Sequence, residues 1–157
     1  MIDAIALQRL RAIGLTPHIV QQLSTEALKD AHNSLLRITE VQREGLTLHD
    51  GEHEHAARLL PSLRNRLQAQ NDAVAVGDWV LAQRNAHGEW WVAQRLAPAN
   101  QMARRQHDGR DKTTRLVMVA NVDTALLVMG LDHDFNLRSS SAIWRWCGWP
   151  KWPPWWC

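Results

Sequence analysis

The sequence has few of the residues that build disulfide frameworks, thiolate metal sites or membrane spans. Its two cysteines, Cys147 and Cys157, both lie near the C-terminal end of the 157 residues, so the preceding sequence holds neither a disulfide framework nor a thiolate site. The longest apolar run, residues 125–131, is too short to cross a bilayer. The first residues lack the apolar stretch of a secretory signal. We therefore expect a cytoplasmic protein with no membrane partner.

Sequence motifs of nucleotide-binding and hydrolytic enzymes are also absent. The chain has no Gly-x-x-x-x-Gly-Lys-[Ser/Thr] phosphate loop and no Asn-Lys-x-Asp or Thr-Lys-x-Asp guanine motif. Without a lysine and stacked backbone N–H groups, nothing in the sequence would hold the phosphates of a nucleotide. No serine, histidine and carboxylate stand at a recognisable catalytic spacing. We predict no catalytic residue and no cofactor in this chain, and hence no GTPase activity of the chain alone.

The charge balance is nearly even, with a formal net charge of +2 when the histidines are neutral. A chain with so small a charge binds nucleic acid only through a local basic patch. One cluster suggests a metal site, because imidazole and carboxylate groups suit divalent ions. It consists of His49, Asp50, His53 and His55. A polar hairpin turn explains the same four residues, and we predict the turn and no metal ligand.

Residues 1–34 are predicted to form a helical N-terminal extension. Apolar residues between positions 2 and 13 recur at helical spacing, and Gly14 stands where a helix ends in a left-handed residue. Thr16 followed by Pro17 is typical of a second helix start, with threonine as the N-cap and proline at the first helical position.

Residues 35–115 are predicted to form a small β-barrel. Apolar and polar residues alternate from Leu35, and Asp50-Gly51 suits a tight turn before a return strand at 55–60. Residues 62–72 indicate a loop or a short exposed helix. Two further strands, 74–82 and 89–96, are joined by a hairpin loop at 85–88. Several short strands with turn signals favour a closed antiparallel barrel over a sandwich at this length.

Two segments follow the predicted barrel. Residues 99–114 show little periodicity and are predicted to form an exposed basic loop. Residues 116–138 then contain two apolar runs, 116–119 and 124–131, broken by Asn121 and Asp123. The second run is continuous, which is typical of a strand buried on both faces in an α/β domain. We expect Asn121 and Asp123 to cap the loop between the two runs.

Several short motifs together resemble the ribosome small-subunit-dependent GTPase A family (RsgA, also called YjeQ). Each motif is weak alone, and their order across more than half of the chain makes the combination specific. The motifs are Val76-Gly77-Asp78-Trp79-Val80, Glu89-Trp90-Trp91-Val92, Arg104-Arg105, Val119-Ala120-Asn121-Val122-Asp123-Thr124 and Asp134-Phe135-Asn136-Leu137-Arg138.

The resemblance implies an OB barrel joined to a circularly permuted GTPase domain, of which residues 116–138 would be the start, and a zinc-binding tail. It implies GTP, magnesium and zinc as the family's cofactors, and the small ribosomal subunit with its rRNA as the partner, in late maturation of that subunit. Through circular permutation, the guanine and phosphate loops would follow residues 134–138. We therefore expect this chain to be an N-terminal fragment without those loops.

A basic group next to the predicted barrel is our candidate for RNA binding. Positive side chains neutralise phosphates and release counterions. An ordinary solvated loop is the alternative interpretation. The candidate residues are Arg104, Arg105, Arg110, Lys112 and Arg115. Arg64 and Arg66 are a weaker second candidate.

The tryptophans of the predicted barrel are candidates for base stacking or for the core. Trp79 and one of Trp90 and Trp91 are expected to point inward, and the outward member of the adjacent pair is the stacking candidate. Alternation does not say which of the two it is.

The tail 139–157 is rich in tryptophan and fits no helix or strand pattern. With GC-rich codons, a reading frame shifted by one base can encode an amphipathic helix followed by a strand rich in valine here, so we expect an out-of-frame tail. The alternative for the tail is a membrane-interface segment, which Pro150, Pro153 and Pro154 disfavour as a helix. The alternative for the whole chain is a stand-alone, non-catalytic RNA-binding module or a Trp-tailed membrane-interface protein. We expect a monomer that aggregates readily, because the apolar run 124–131 would lack a covering sheet.

Overall fold

The structure is a computed structural model that describes residues 4–23, 33–107 and 113–126. Arg110, Lys112, most of the apolar run 124–131 and the tail 139–157 lie outside the described residues. The elements in chain order are α1 (Ala4–Ala12), α2 (Pro17–Gln21), β1 (Asn33–Val41), β2 (Leu46–His49), β3 (Glu54–Leu59), α3 (Pro61–Ala69), β4 (Trp79–Arg84), β5 (Trp90–Arg95), β6 (Gln101–His107) and β7 (Thr113–Ala120).

Strands β1 to β5 form a closed barrel in the order β1-β2-β3-β5-β4. All pairs are antiparallel except β3 with β5, which run parallel and close the barrel. A helix, α3, lies in the chain between β3 and β4. A five-stranded barrel of this kind is the OB architecture. The predicted mainly β fold with an OB barrel and a helical N-terminal part is therefore confirmed.

The interior of the barrel is filled by one face of each strand, including the fully buried Leu48, Val80 and Val92. Helix α3 adds Leu63 and Leu67 to this core, both on one face and both buried. Residues 61–69 are thus neither a loop nor a fully exposed helix, because the leucine pair at four-residue spacing packs into the barrel.

A second core lies outside the barrel, beneath the two N-terminal helices. Trp79 is fully buried there, together with Leu10 and Ile19 of the helices and Leu81 of β4. The prediction that Trp79 is buried is confirmed, but the prediction that it points into the barrel is wrong. Strand β4 is apolar on both faces because helices cover its outer face, which is the general reason for a continuous apolar run in a strand.

The helix ends partly follow the predicted signals. Gly14 has φ +94°, as expected for a left-handed residue after a helix. Pro17 begins α2, but the side chain of Thr16 makes no capping hydrogen bond. Thr16 therefore occupies the N-cap position without satisfying an amide of the first turn.

Residues 99–114 contain a strand, so the prediction of an exposed loop is wrong. Strand β6 pairs with β7 in an antiparallel hairpin, with Arg104 opposite Leu116 and Arg105 opposite Arg115. The hairpin is a two-stranded ribbon with a solvated face. Because that face carries polar residues, the strand lacks the alternation of apolar and polar residues from which a strand is predicted. Strand β7 also runs across position 115, where we placed the end of the barrel.

Strand β4 begins only at Trp79, although the pattern predicted a strand from position 74. Gly77 has φ +89° and forms a turn with Asp78, whose backbone N–H donates to the carbonyl of Ala75. The turn still joins the barrel, because Gly77 N–H donates to Ile38 and Ile38 N–H donates to Asp78. The hairpin loop after β4 is where the sequence predicts it, with positive φ at Gly88.

Candidate nucleic-acid interface

A groove of about 530 Å³ crosses the outside of the barrel over strands β2 and β3. The turn between β1 and β2 borders one side, and Glu89 with the first residues of β5 borders the other. This face, flanked by the loop between strands 1 and 2 and the loop between strands 4 and 5, is where OB folds bind oligonucleotides. The lining residues that matter below are Gly45, Thr47, Ala56, Arg58, Glu89 and Trp91.

Trp91 is the outward member of the adjacent tryptophan pair. Its neighbour Val92 is fully buried in the barrel, and Trp90 packs against the same core. Because successive side chains of a strand point to opposite faces, Trp91 faces outward. The side chain is partly exposed and borders the groove. The structure thus settles which tryptophan is the stacking candidate.

Trp90 is occupied by contacts within the protein. Its ring centroid lies 5.4 Å from that of His55, and the guanidinium of Arg84 lies 5.4 Å from it. The indole N–H is buried without a hydrogen-bond partner among the described residues. Trp90 also borders the groove, but its ring packs on the barrel core and contacts His55 and Arg84, so Trp91 is the better stacking candidate.

Arg58 is the cation nearest to Trp91 along the strands. The two residues are register partners across the parallel pair β3 and β5, and both are on the outer face. Arg58 is exposed and makes no ion pair or hydrogen bond with any residue that the structure describes. Sequence analysis missed Arg58, since the parallel closure that brings it to Trp91 joins strands separated by α3 and β4.

The predicted basic candidates that the structure describes, Arg104, Arg105 and Arg115, lie on the hairpin β6–β7 and do not line the groove. Arg104 is exposed on β6, and its side chain forms no ion pair with any described residue. Arg105 and Arg115 are opposite each other in the hairpin register, so their Cα atoms are neighbours. Arg64 and Arg66, the weaker candidates, are exposed on α3. The described candidates and Arg58 are therefore distributed over three parts of the fold, namely the hairpin, α3 and β3.

The segment around Asp50 is a polar hairpin turn, as predicted. The carboxylate accepts hydrogen bonds from the backbone N–H of Glu52 at 2.8 Å and of His53 at 2.7 Å, and its second oxygen lies 2.8 Å from Nε2 of His55. Burial raises the pKa of Asp50, but the His53 amide, the His55 ring and the Glu52 amide outweigh it and hold the pKa well below its usual range. Nδ1 of His49 accepts from Gly51 N–H.

Two motifs of the resemblance meet where the hairpin joins the barrel. Ala120 N–H donates to the carbonyl of Val76 at 2.8 Å, and the side chain of Asn121 donates to the carbonyl of Gly77 at 2.9 Å. The side-chain oxygen of Asn121 accepts from Ala99 N–H at 2.9 Å. The loop-capping role predicted for Asn121 is confirmed, and it ties the hairpin to the barrel. Asp123 is exposed beside this junction, and its capping role stays a prediction.

Arg37 connects three parts of the fold at the same junction. Its guanidinium donates to the carbonyl of Ile13 at the end of α1 and to that of Asn121 at 3.0 Å, and it lies 5.8 Å from the ring of Trp79. A larger groove of about 720 Å³ opens here, bordered by Gly14 and Asp123 among others. The polar groups of Arg37 and Asn121 are used in internal hydrogen bonds, so this groove is the weaker candidate for a ligand site.

Asp78 is a structural carboxylate. It is fully buried, accepts from Ala75 N–H at 2.8 Å and forms an ion pair at 2.8 Å with Arg95, whose side chain is 6% exposed. Arg95 also pairs with Asp72 at 2.6 Å. Burial raises the pKa of Asp78, against the Ala75 amide and the charge of Arg95, which favour the carboxylate. The pair of Asp78 and Arg95 stabilises the turn before β4, and Asp78 borders neither of the two grooves.

Among residues 4–23, 33–107 and 113–126, no group of three or more histidine, cysteine, aspartate or glutamate side chains could hold a metal ion. The amino-acid sequence has no Gly-x-x-x-x-Gly-Lys-[Ser/Thr] motif. Within the same ranges, no helix has the length and apolar character needed to span a bilayer.

Comparison with known proteins gives several relatives that carry the same name. The chain is 33% identical over 133 residues to the small ribosomal subunit biogenesis GTPase RsgA of Xanthomonas oryzae pv. oryzae (strain PXO99A), which is 82% of this chain and 35% of that protein. It is 33% identical over 121 residues to RsgA of Xanthomonas axonopodis pv. citri (strain 306), and this match covers 75% of this chain and 31% of that protein. The chain is 31% identical over 72 residues to RsgA of Leptospira interrogans serogroup Icterohaemorrhagiae serovar copenhageni (strain Fiocruz L1-130). This match covers 46% of this chain and 20% of that protein.

The matched part of the chain thus spans between a fifth and about a third of the length of these relatives. No protein-family model matches the chain.

Proposed function

Because the chain belongs, over the part that it matches, to the family of small ribosomal subunit biogenesis GTPases RsgA, we propose that it is the N-terminal part of such a GTPase. It acts in late maturation of the small ribosomal subunit, in the cytoplasm. The barrel of β1 to β5 and the hairpin β6–β7 bind rRNA of that subunit. The observation that carries this proposal is the groove over β2 and β3, at the site where OB barrels take oligonucleotides.

The hairpin supplies the phosphate contacts in this proposal. Arg104 is exposed and free of described ion pairs, and Arg105 and Arg115 are cross-strand neighbours. Positive side chains neutralise phosphates and release counterions on binding. Arg110 and Lys112 belong to the same proposed set by sequence.

The proposal concerns binding and assigns no catalytic step to the described residues. The relatives are named GTPases, and among the described residues no group of three or more histidine, cysteine, aspartate or glutamate side chains could hold a metal ion. Any hydrolysis of GTP by the whole protein therefore depends on residues other than those described.

Binding to small-subunit rRNA over a salt series tests the proposal. The full chain is titrated against a labelled rRNA fragment by filter binding at several salt concentrations. Arg104→Gln is expected to flatten the plot of log affinity against log salt by about 0.7, the value for one lost contact to single-stranded phosphate. Arg11→Gln is the matched control, because Arg11 is exposed on α1 and belongs neither to the hairpin strands nor to the lining of the groove over β2 and β3.

Two outcomes would contradict the proposal. One is affinity of the wild-type chain that does not change with salt. The other is an equal change of slope in the Arg104 and Arg11 variants, which would indicate attraction by total charge and not by the hairpin.

A further inference from the structure

We infer that the groove over β2 and β3 binds one unpaired nucleotide, with its base stacked on Trp91 and its phosphate at Arg58. This inference rests on the proposed RNA binding and names the form of RNA that the barrel takes. It is separate from the hairpin, where the phosphate contacts of Arg104 are placed.

The shape of the groove fits a base. Trp91 forms a large aromatic wall, while the residues opposite and below it are small, namely Gly45, Thr47 and Ala56. Thr47 and Ala56 are register partners on β2 and β3, so small side chains lie next to each other across the sheet. A flat aromatic surface beside an open space with a small-residue floor accepts the flat face of a base, since every base offers a π face.

The charge of the groove favours a single nucleotide over a duplex. The acidic residues Glu44 and Glu89 border it together with the single cation Arg58. Two phosphate backbones of a duplex would meet these carboxylates and be repelled. One phosphate beside Arg58, with the base directed to Trp91, avoids that repulsion.

Arg58 lies opposite Trp91 across the parallel strand pair. Arg58 and Trp91 occupy the same register position on adjacent strands, which lie roughly 5 Å apart. The long side chain of arginine can reach along the groove from this position, and its guanidinium has no competing partner among the described residues. Trp91 is the better stacking candidate than Trp90, because Trp90 packs on the barrel core and contacts His55.

The test compares a single-stranded oligouridylate with an RNA duplex of equal length, using the full chain. Trp91→Ala is expected to lower the affinity for the single strand roughly 10- to 100-fold, the range for loss of one stacked base. Its salt dependence should remain that of the wild type, because no phosphate contact is removed. Trp91→Phe keeps a stacking ring and should bind within about threefold of the wild type. Affinity for the duplex should be the same in all three proteins.

A photocrosslink covers the case in which Trp91→Ala does not fold, which a thermal melt would reveal. An oligonucleotide with one 5-iodouridine is irradiated with the wild-type chain, and the attached peptide is identified by mass spectrometry. The inference expects a link at Trp91. A link confined to the hairpin, or unchanged single-strand affinity in folded Trp91→Ala, would overturn the inference and leave the proposed RNA binding intact. Absence of any RNA binding by the wild type would overturn both.

Discussion

Replacing Gly77 by alanine should separate the hairpin from the barrel. Gly77 has φ +89°, and a Cβ atom there would lie 2.1 Å from the carbonyl oxygen of Ala120. That distance is far below van der Waals contact, and the obstructing atom belongs to the backbone. The chain at Ala120 must therefore move if alanine is to fit.

The cost of Gly77→Ala has two parts. Alanine in the left-handed region costs about 1–2 kcal/mol relative to glycine. Movement of the chain at Ala120 also breaks its hydrogen bond to Val76, 2.8 Å long, and the one from Asn121 to Gly77, 2.9 Å long. Each contributes about 1 kcal/mol. The free energy of unfolding should thus fall by about 3–4 kcal/mol.

Gly88→Ala is the matched control. Gly88 also has positive φ, +82°, but the nearest atom to a Cβ there is Nη2 of the flexible Arg84 side chain, at 3.8 Å. The free energy of unfolding of this variant should fall only by the cost of placing alanine at positive φ, about 1–2 kcal/mol. Urea unfolding measures both variants, and their midpoints are comparable if the slope m is unchanged. Equal loss in the two variants, within about 0.5 kcal/mol, would refute the close approach of Ala120 to Gly77.

Two further predictions concern carboxylates. Because the pKa of Asp50 is lowered in the folded state, its contribution to stability is present above the ordinary aspartate pKa of about 3.9 and is lost as the pH falls. The free energy of unfolding should fall between about pH 5 and about pH 2 in the wild type, and in Asp50→Asn this fall should be smaller by about 1 kcal/mol, a figure that allows for solvent screening. Parallel plots of unfolding free energy against pH for the two proteins would contradict this. Arg95→Met leaves the buried Asp78 unpaired and should cost about 3–5 kcal/mol in urea unfolding, part of which the double variant with Asp78→Asn recovers. A cost below about 1 kcal/mol for Arg95→Met would show that the pair does not stabilise the fold.

Much of the fold was predictable because its signals are local. Alternation from Leu35, the Asp50-Gly51 turn and the hairpin loop ending at Gly88 each depend on residues next to one another in the chain, and the structure has strands and turns at these places. The motif around Asn121 also indicated a capped loop, because asparagine adopts positive φ and its side chain bonds to backbone groups. By contrast, strand β6 was hidden, since a two-stranded ribbon with a solvated face needs no apolar alternation.

The sequence by itself determined that this chain forms a small β-barrel after two helices, and which short motifs resemble a known family. The tertiary structure alone decided which faces of the strands are covered. Period-two alternation defines two faces but does not say that the N-terminal helices bury Trp79 on the outer one. Alternation also does not predict that Arg58 lies beside Trp91, because the parallel pairing of β3 with β5 joins strands that are distant in sequence.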